Sequence, residues 1–172
     1  MKKIILIVTL FLMTGCDAGN IFNKEDKTIQ FLDDQYQATV PGHWSKLNLH
    51  EDADFQMGNL RKEAYLIVFT ESKQDFDDSY SINDYSELTL SMIKDSLKNP
   101  VLGKKSTLTT NDYSFSKSII SGVIDGVKIK YLHTTTEDKD NFHQIILWSL
   151  PSKYEGNRQD FDNVIKSFKK AR

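Results

Sequence analysis

Histidine is the side chain best suited to proton transfer or metal binding near neutral pH. The four histidines of this chain are His43, His50, His133 and His143. None has the H-x-x-x-H or H-E-x-x-H spacing of a helical metal site. His133 and His143 fall in two segments predicted to be adjacent strands. Counting back from their turn pairs His133 with Ile146 and His143 with Thr136, so the imidazoles face opposite sides of the sheet. We therefore predict structural histidines and no metal site.

Covalent catalysis needs an activated nucleophile, and the sequence has no G-x-S-x-G elbow and no glycine-rich phosphate loop. Two acidic clusters have the oxygen ligands that a hard cation prefers. They are Asp75, Asp77 and Asp78, and Glu137, Asp138 and Asp140. Neither has EF-hand spacing, and solvated turns use the same residues, so we favour turns. The sequence predicts no catalytic residue, no metal and no cofactor.

Cys16 is the only cysteine, which excludes an intramolecular disulfide. Before it come Lys2-Lys3 and an apolar run from Ile4 to Leu12. As a helix this run spans about 14 Å, too short for a ~30 Å hydrocarbon core and typical of a signal peptide. The following Leu12-Met13-Thr14-Gly15-Cys16 resembles the lipobox of bacterial lipoproteins. The resemblance implies that residues 1–15 are removed and Cys16 is lipidated; a secretory signal cut after Ala18 is the alternative.

Asp17 follows the cysteine and bears on the location of the protein. In Gram-negative lipoproteins an aspartate there resembles the signal for retention in the inner membrane, and a plain linker residue is the alternative. Residues 16–27 are mostly polar and aperiodic, which predicts a tether. The 11 residues after Cys16 would span roughly 17–20 Å as a flexible coil. We expect a lipid-anchored protein of the bacterial cell envelope that faces the periplasm, at the inner membrane in a Gram-negative source.

The composition indicates one globular domain, residues 28–170, which is long enough to bury a core without disulfides or metals. Apolar residues make up 39% and charged residues 27% of the chain, as in ordinary globular proteins. Losing Lys2 and Lys3 with the signal would leave 20 basic against 24 acidic side chains, a net charge of −4. This balance provides no basic face for nucleic acid and no polybasic signal for anionic lipid.

The first half of the domain alternates short strands and turns. Strands are predicted at 28–32, 36–40, 55–60 and 64–70, the last covered on both faces because it is almost wholly apolar. Ser81 and Asp84 have the spacing of a capping box and predict the start of a helix that ends at Asn99-Pro100. Its predicted apolar face carries Tyr85, Leu88, Met92, Ile93 and Leu97.

The second half reads as a meander with strands at 104–110, 113–124, 127–136 and 142–150. Asp125-Gly126 predicts a two-residue primed turn. The apolar residues of these strands do not fall on one face, which indicates a bulge near Gly122 or a sheet covered on both sides. Asn157 is predicted to cap a closing helix, with Asp160 three residues on. The apolar stripe of that helix is Phe161, Val164, Ile165 and Phe168.

These elements predict an α+β fold, an antiparallel sheet of six to seven strands with two main helices packed on it. Their order over residues 28–170, with Pro41-Gly42-His43-Trp44, resembles the PsbP-like family, an α/β/α sandwich. Bacterial lipoproteins of the DcrB type have that fold and also begin with an acylated cysteine followed by aspartate. The resemblance implies a non-enzymatic accessory, binding or assembly role.

The predicted function is that of a membrane-anchored binding or assembly factor that contacts a protein partner through the polar loop 71–80. Phe76 and Tyr80 lie in this loop; they either contact the partner or are tucked under the loop itself. Trp44 and Trp148 could line a ligand groove, but we favour core positions. The alternative function is a periplasmic carrier of a small ligand or cation, with a pocket between sheet and helix. A hydrolase would require an acid–base pair converging in a cleft.

Overall fold

The computed structural model describes residues 25–171. Within this range the chain forms eleven strands and two α-helices, neither of which is long and apolar enough to cross a membrane. The helices are α1 (Ile82–Asp95) and α2 (Pro151–Ser167). The strands are β1 (Lys27–Phe31), β2 (Tyr36–Val40), β3 (Ser45–Lys46), β4 (Phe55–Asn59), β5 (Ala64–Ser72), β6 (Lys98–Leu102), β7 (Ser106–Thr109), β8 (Ser114–Ile124), β9 (Val127–Glu137), β10 (Asn141–Ser149) and β11 (Lys169–Lys170).

Within residues 25–171 the strands form an eight-stranded main sheet and a separate three-stranded sheet. The main sheet has the order β3-β4-β5-β10-β9-β8-β6, with β7 also paired to β8, and the small sheet has the order β1-β2-β11. The predicted α+β class is confirmed. The main sheet has eight strands where six to seven were predicted, because the short edge strands β3 and β6 were not predicted. The predicted strands β1 and β2 form the small sheet with β11 instead.

Both faces of the main sheet are covered, as an α/β/α sandwich requires. Helix α1 packs on one face over Ile67, Ile120 and Ile146. Helix α2 and the small sheet cover the other face over Leu66 and Leu147. Strand β10 lies between β5 and β9, which confirms the prediction that 64–70 and 142–150 are interior strands.

The meander follows its predicted register. Asp125 and Gly126 have φ angles of 49° and 82°, which confirms a turn of the primed type. Pairing of β8 with β9 runs without a shift through Gly122, and the sheet is covered on both sides. A register shift does occur beside Gly122, but in the β6–β8 pair, where Lys98 pairs with Val123 and Val101 pairs with Ser121.

Helix α1 begins as predicted, with both hydrogen bonds of the Ser81–Asp84 capping box present. It ends at Asp95, before the predicted stop at Asn99-Pro100, because the chain there forms edge strand β6. The buried face is also rotated from the predicted one. Leu88 and Met92 are only half-buried. The buried residues of the helix are Tyr85, Ser86, Thr89, Leu90 and Ile93.

The N-cap of helix α2 is Leu150, seven residues before the predicted cap at Asn157, which is a second correction. Pro151 occupies the first turn, where its missing N–H costs no hydrogen bond. Asn157 is instead buried inside the helix and donates to the carbonyl of Lys62 at 3.0 Å. Phe161, together with the rest of its predicted apolar stripe, is buried against the small sheet and β5.

Candidate functional site

Asp138, in the turn between β9 and β10, is the centre of a polar network at one end of the main sheet. Its carboxylate accepts a hydrogen bond of 2.7 Å from the Tyr36 hydroxyl and bonds from the backbone amides of Asp140 and Asn141. Lys170 of β11 lies 3.3 Å away. The network therefore joins the small sheet to the end of the main sheet.

Burial and hydrogen bonding set the charges in this network. Burial alone would raise the pKa of Asp138, but the bonds from Tyr36 and the backbone amides hold that pKa well below its usual value. Burial raises the pKa of Tyr36 well above its usual value. The carboxylate is thus ionised and the phenol is a permanent hydrogen-bond donor.

His143 brings a base next to a hydroxyl and a carboxylate. Its Nδ1 lies 3.1 Å from Thr70 Oγ1, and its Nε2 lies 3.5 Å from Asp138 Oδ2. Burial lowers the pKa of His143 to about 4, against the opposing effect of Asp138, so the ring is neutral at pH 7. The ring itself has no exposed surface and packs against the rings of Tyr36 and Phe168, with centroids 4.6 and 5.1 Å away. The imidazole is therefore sealed from solvent, whereas Thr70 and Asp138 are each partly exposed.

His133 lies on the opposite face of the sheet, under α1, paired with Ile146 as predicted. Its Nε2 is 2.9 Å from Thr89 Oγ1, and its Nδ1 has no hydrogen-bond partner among the residues described. Burial lowers its pKa to about 3. The prediction that His133 and His143 face opposite sides is confirmed. In the described part of the chain, no three His, Cys, Asp or Glu side chains are grouped to hold a metal ion.

Phe76 and Tyr80 stack on each other in the loop that follows β5, with centroids 4.9 Å apart. Phe76 also meets Tyr85 and Phe142 edge-on, and both loop rings are half-buried. The tucked arrangement is therefore the one that the structure shows, with the outer part of each ring still accessible. Their role in a partner contact stays a prediction.

Trp44 and Trp148 are buried side chains, as favoured from the sequence. Trp44 meets Phe161 edge-on at 6.2 Å, and Trp148 stacks on Tyr65 at 5.3 Å. Trp44 belongs to the hydrophobic cluster beneath α2 and the small sheet, and Trp148 belongs to the cluster beneath α1.

The first residue of strand β1, Lys27, lies at one end of the main sheet, and this position distinguishes the two ends. Lys27 pairs with Val40 and donates to the Trp44 carbonyl, beside the start of β5. We call this the proximal end. The distal end, at the end of β5 near Ser72, comprises segments 32–35, 71–80, 110–113, 137–141 and 169–171, joined through contacts such as the Tyr36–Asp138 bond. The nine residues of β5 separate the two ends by roughly 26 Å.

The distal end is strongly acidic. Its five segments contain ten carboxylates against four lysines. Asp75, Asp77 and Asp78 of the predicted acidic cluster are exposed here, next to the Phe76–Tyr80 stack. The second predicted cluster lies at the same end, where Glu137 pairs with Lys73 at 2.6 Å. The sequence located both clusters but gave no sign that a single end of the fold brings them together.

A small cleft lies on the α2 face of the main sheet, between α2 and the segment that joins β6 to β7. It has a volume of about 80 Å³ and is lined by Lys104, Lys117, Arg158 and Asp162 above the apolar side chains of Ile119, Leu132 and Tyr154. Sequence reasoning missed this site because its residues come from four separate segments.

Cys16 and Asp17, and with them the predicted signal segment and tether up to residue 24, lie outside the described residues. Their lipidation and sorting roles stay predictions.

No family model matches this chain, and a search of curated proteins found no match either. Solved structures do match. The cyanobacterial PsbP protein CyanoP of Synechocystis sp. PCC 6803 is 14% identical, with 92% of this chain and 98% of that chain covered and a TM-score of 0.64. LpqN of Mycobacterium tuberculosis, described as involved in cell envelope biogenesis, is 11% identical with 86% and 91% covered and a TM-score of 0.60. PA94 of Pseudomonas aeruginosa, of unknown function, is 10% identical with 84% and 96% covered and a TM-score of 0.54. These likenesses establish the PsbP-like fold.

Proposed function

We propose that this protein is a lipid-anchored module of the cell envelope that binds a protein partner, without catalysis, through its distal end. The observation that carries the proposal is the position of Lys27 at the proximal end, opposite loop 71–80. An anchor attached upstream of Lys27 would hold the proximal end towards the bilayer. The distal end would then be presented to partners, roughly 26 Å further out.

The anchor in this proposal is a lipidated Cys16, with Asp17 retaining the protein in the inner membrane of a Gram-negative cell and the domain facing the periplasm. Two or more acyl chains hold a protein stably on a bilayer, whereas one is marginal. The same proposal includes that this protein is one of the DcrB-type lipoproteins.

The chemistry of the distal end favours a cationic partner segment. Exposed Asp77 and Asp78 would steer lysine and arginine side chains to this surface. The accessible edges of Phe76 and Tyr80 would add aromatic contacts, including cation–π contacts. The same negative charge would keep this end away from an anionic bilayer.

The absence of catalysis is part of the proposal. It is supported by the burial of His143, whose ring has no exposed surface and packs against Tyr36 and Phe168, because a substrate would have to displace these rings to reach the imidazole.

Site-specific photo-crosslinking in intact cells tests the docking proposal. A photoreactive residue at position 78 should give a discrete adduct that is absent when the residue is placed at position 125, on the proximal hairpin. The double variant Asp75→Asn/Asp77→Asn, which leaves position 78 for the photoreactive residue, should weaken the adduct, and the matched pair Asp95→Asn/Asp125→Asn, also exposed, should not. Equal adducts from positions 78 and 125 would refute distal docking.

A Cys16→Ser variant tests the anchor and should be lost from washed membranes. Retention of this variant in washed membranes would refute the anchor.

The cleft beside α2 favours a second candidate function, that of a small-ligand carrier. The positively charged side chains that line the cleft favour an anionic ligand. They do not favour the cation that the sequence analysis gave as one possible cargo.

A further inference from the structure

The cleft beside α2 has the size of one small polar group. Its volume is about 80 Å³, more than the roughly 10–15 Å³ that a site needs to admit one water molecule. Lys104 and Arg158 are exposed at its rim, whereas Leu132 and Tyr154 are buried at its floor. The cleft is therefore a concave site with a charged mouth and an apolar base.

The charges that line this cleft do not cancel. Lys117 pairs with Asp162 at 2.5 Å, and this pair is mostly withdrawn from water because the Lys117 side chain is only 16% exposed. Lys104 has no ion pair within residues 25–171. Arg158 has a carboxylate partner in Glu155, at 3.6 Å and with both side chains about two-thirds exposed, which makes a weak pair. Two cations thus remain able to bind an anion.

An apolar strip leads from the base of the cleft to the edge of the sheet. Ile119 and Ser121 lie on the same face of β8, since they are two residues apart in a strand. Val101 of β6 is paired with Ser121, so its side chain shares that face, and it is 65% exposed. Ile119 and Val101 are placed to cover an aliphatic stem that extends from a group bound in the cleft.

We propose that this cleft binds a small organic anion, with its carboxylate or phosphate group between Lys104 and Arg158 and its aliphatic stem over Ile119 and Val101. Charge-assisted hydrogen bonds from both cations orient the oxygens. The apolar stem contributes further affinity in proportion to the area that it buries. The site is separate from the distal end and does not rest on partner docking or on lipidation.

Titration calorimetry of the full chain purified in detergent tests this assignment with three probes: hexanoate, acetate and inorganic phosphate. We expect hexanoate to bind about fivefold or more tightly than acetate, because burial of its extra methylenes is favourable. Phosphate that binds as tightly as hexanoate would show that the cleft selects phosphate and would overturn the role of the stem. Failure of all three to bind at millimolar concentration would overturn the site.

Matched variants separate the cleft from general charge effects. Lys104→Gln/Arg158→Gln should weaken hexanoate binding by about tenfold or more, since both rim cations are lost. Lys153→Gln removes an exposed cation from the same helix outside the cleft and should leave binding unchanged. Asp162→Asn removes the competing carboxylate and should strengthen binding. Equal weakening by Lys153→Gln, or weaker binding in Asp162→Asn, would overturn the proposal.

Discussion

Tyr36 and Asp138, 102 residues apart in the chain, are joined by a 2.7 Å hydrogen bond from the phenol to the carboxylate. Tyr36 belongs to the small sheet and Asp138 to the turn between two interior strands of the main sheet. The bond fixes how the small sheet closes over the distal end. Because the carboxylate is ionised and mostly buried, this bond belongs to the stronger, charge-assisted class.

Tyr36→Phe should destabilise the protein by about 2 kcal/mol, because a buried carboxylate loses a hydrogen-bond donor. Asn141, whose side-chain amide donates to the same hydroxyl at 2.8 Å, loses its acceptor as well. Urea unfolding measures the change. Tyr80→Phe is the matched control, since its hydroxyl makes a longer 3.3 Å bond at the surface. A loss in Tyr36→Phe no larger than in Tyr80→Phe would contradict the structural role of the bond.

Acid should destabilise the protein through His133 and His143, the two fully buried histidines. The folded pKa values of His143, about 4, and His133, about 3, lie below the ordinary value of 6.5. The unfolded chain therefore binds more protons in this window. The free energy of unfolding falls as the pH drops from about 6.5 towards 4, by about 1.4 kcal/mol per pH unit for each histidine. Asp138, with its lowered folded pKa, adds a further loss below about pH 4.

Urea unfolding over a pH series checks the acid effect. His133→Gln should reduce the slope between pH 4 and 6, and His43→Gln, at an exposed position where burial also lowers the pKa, should reduce it less. An unaltered slope in His133→Gln would show that the buried imidazole is not responsible.

Two glycine substitutions should change stability in opposite directions. Gly126 has φ +82° in the β8–β9 turn, so Gly126→Ala should cost about 1 kcal/mol. Gly156 lies in the middle of α2 with open space around it, and Gly156→Ala should stabilise by roughly 0.5–1 kcal/mol. Thermal unfolding measures both. Destabilisation by Gly156→Ala would count against the position of α2.

Ser81→Ala should cost about 1 kcal/mol by removing the cap of α1. Ser79→Ala, two residues earlier in the exposed loop, should have little effect. Helix content and urea unfolding distinguish the two variants. Equal losses would mean that the capping hydrogen bonds contribute nothing specific.

Features encoded within a few residues were predictable. The capping box at Ser81 and the primed turn at Asp125-Gly126 depend on local backbone geometry and were placed correctly. The β9–β10 register followed from turn length, so the opposite placement of His133 and His143 could be deduced by counting.

Features that depend on distant partners were misread. Asn157 has the chemistry of a helix cap, yet its bond to the Lys62 carbonyl, 95 residues away, places it inside α2. Edge strand β6 contains Pro100 and was taken for a helix stop, because only pairing with β8 makes it a strand. The buried face of α1 differs from the predicted apolar face because the sheet offers polar partners to this helix. Ser86 contacts Ser116, and Thr89 contacts His133.

The sequence by itself determined the α+β class, the primed turn at Asp125-Gly126, the cap of α1, and the signal that predicts an anchor at Cys16. Only the tertiary structure decided that Tyr36 reaches Asp138, that the distal end collects both acidic clusters, and that Lys104 and Arg158 face one cleft. The reason is physical. Local dihedral preferences and alternation depend on neighbours in the chain, whereas burial, ion pairing and charge accumulation depend on how distant segments pack to bury their apolar faces.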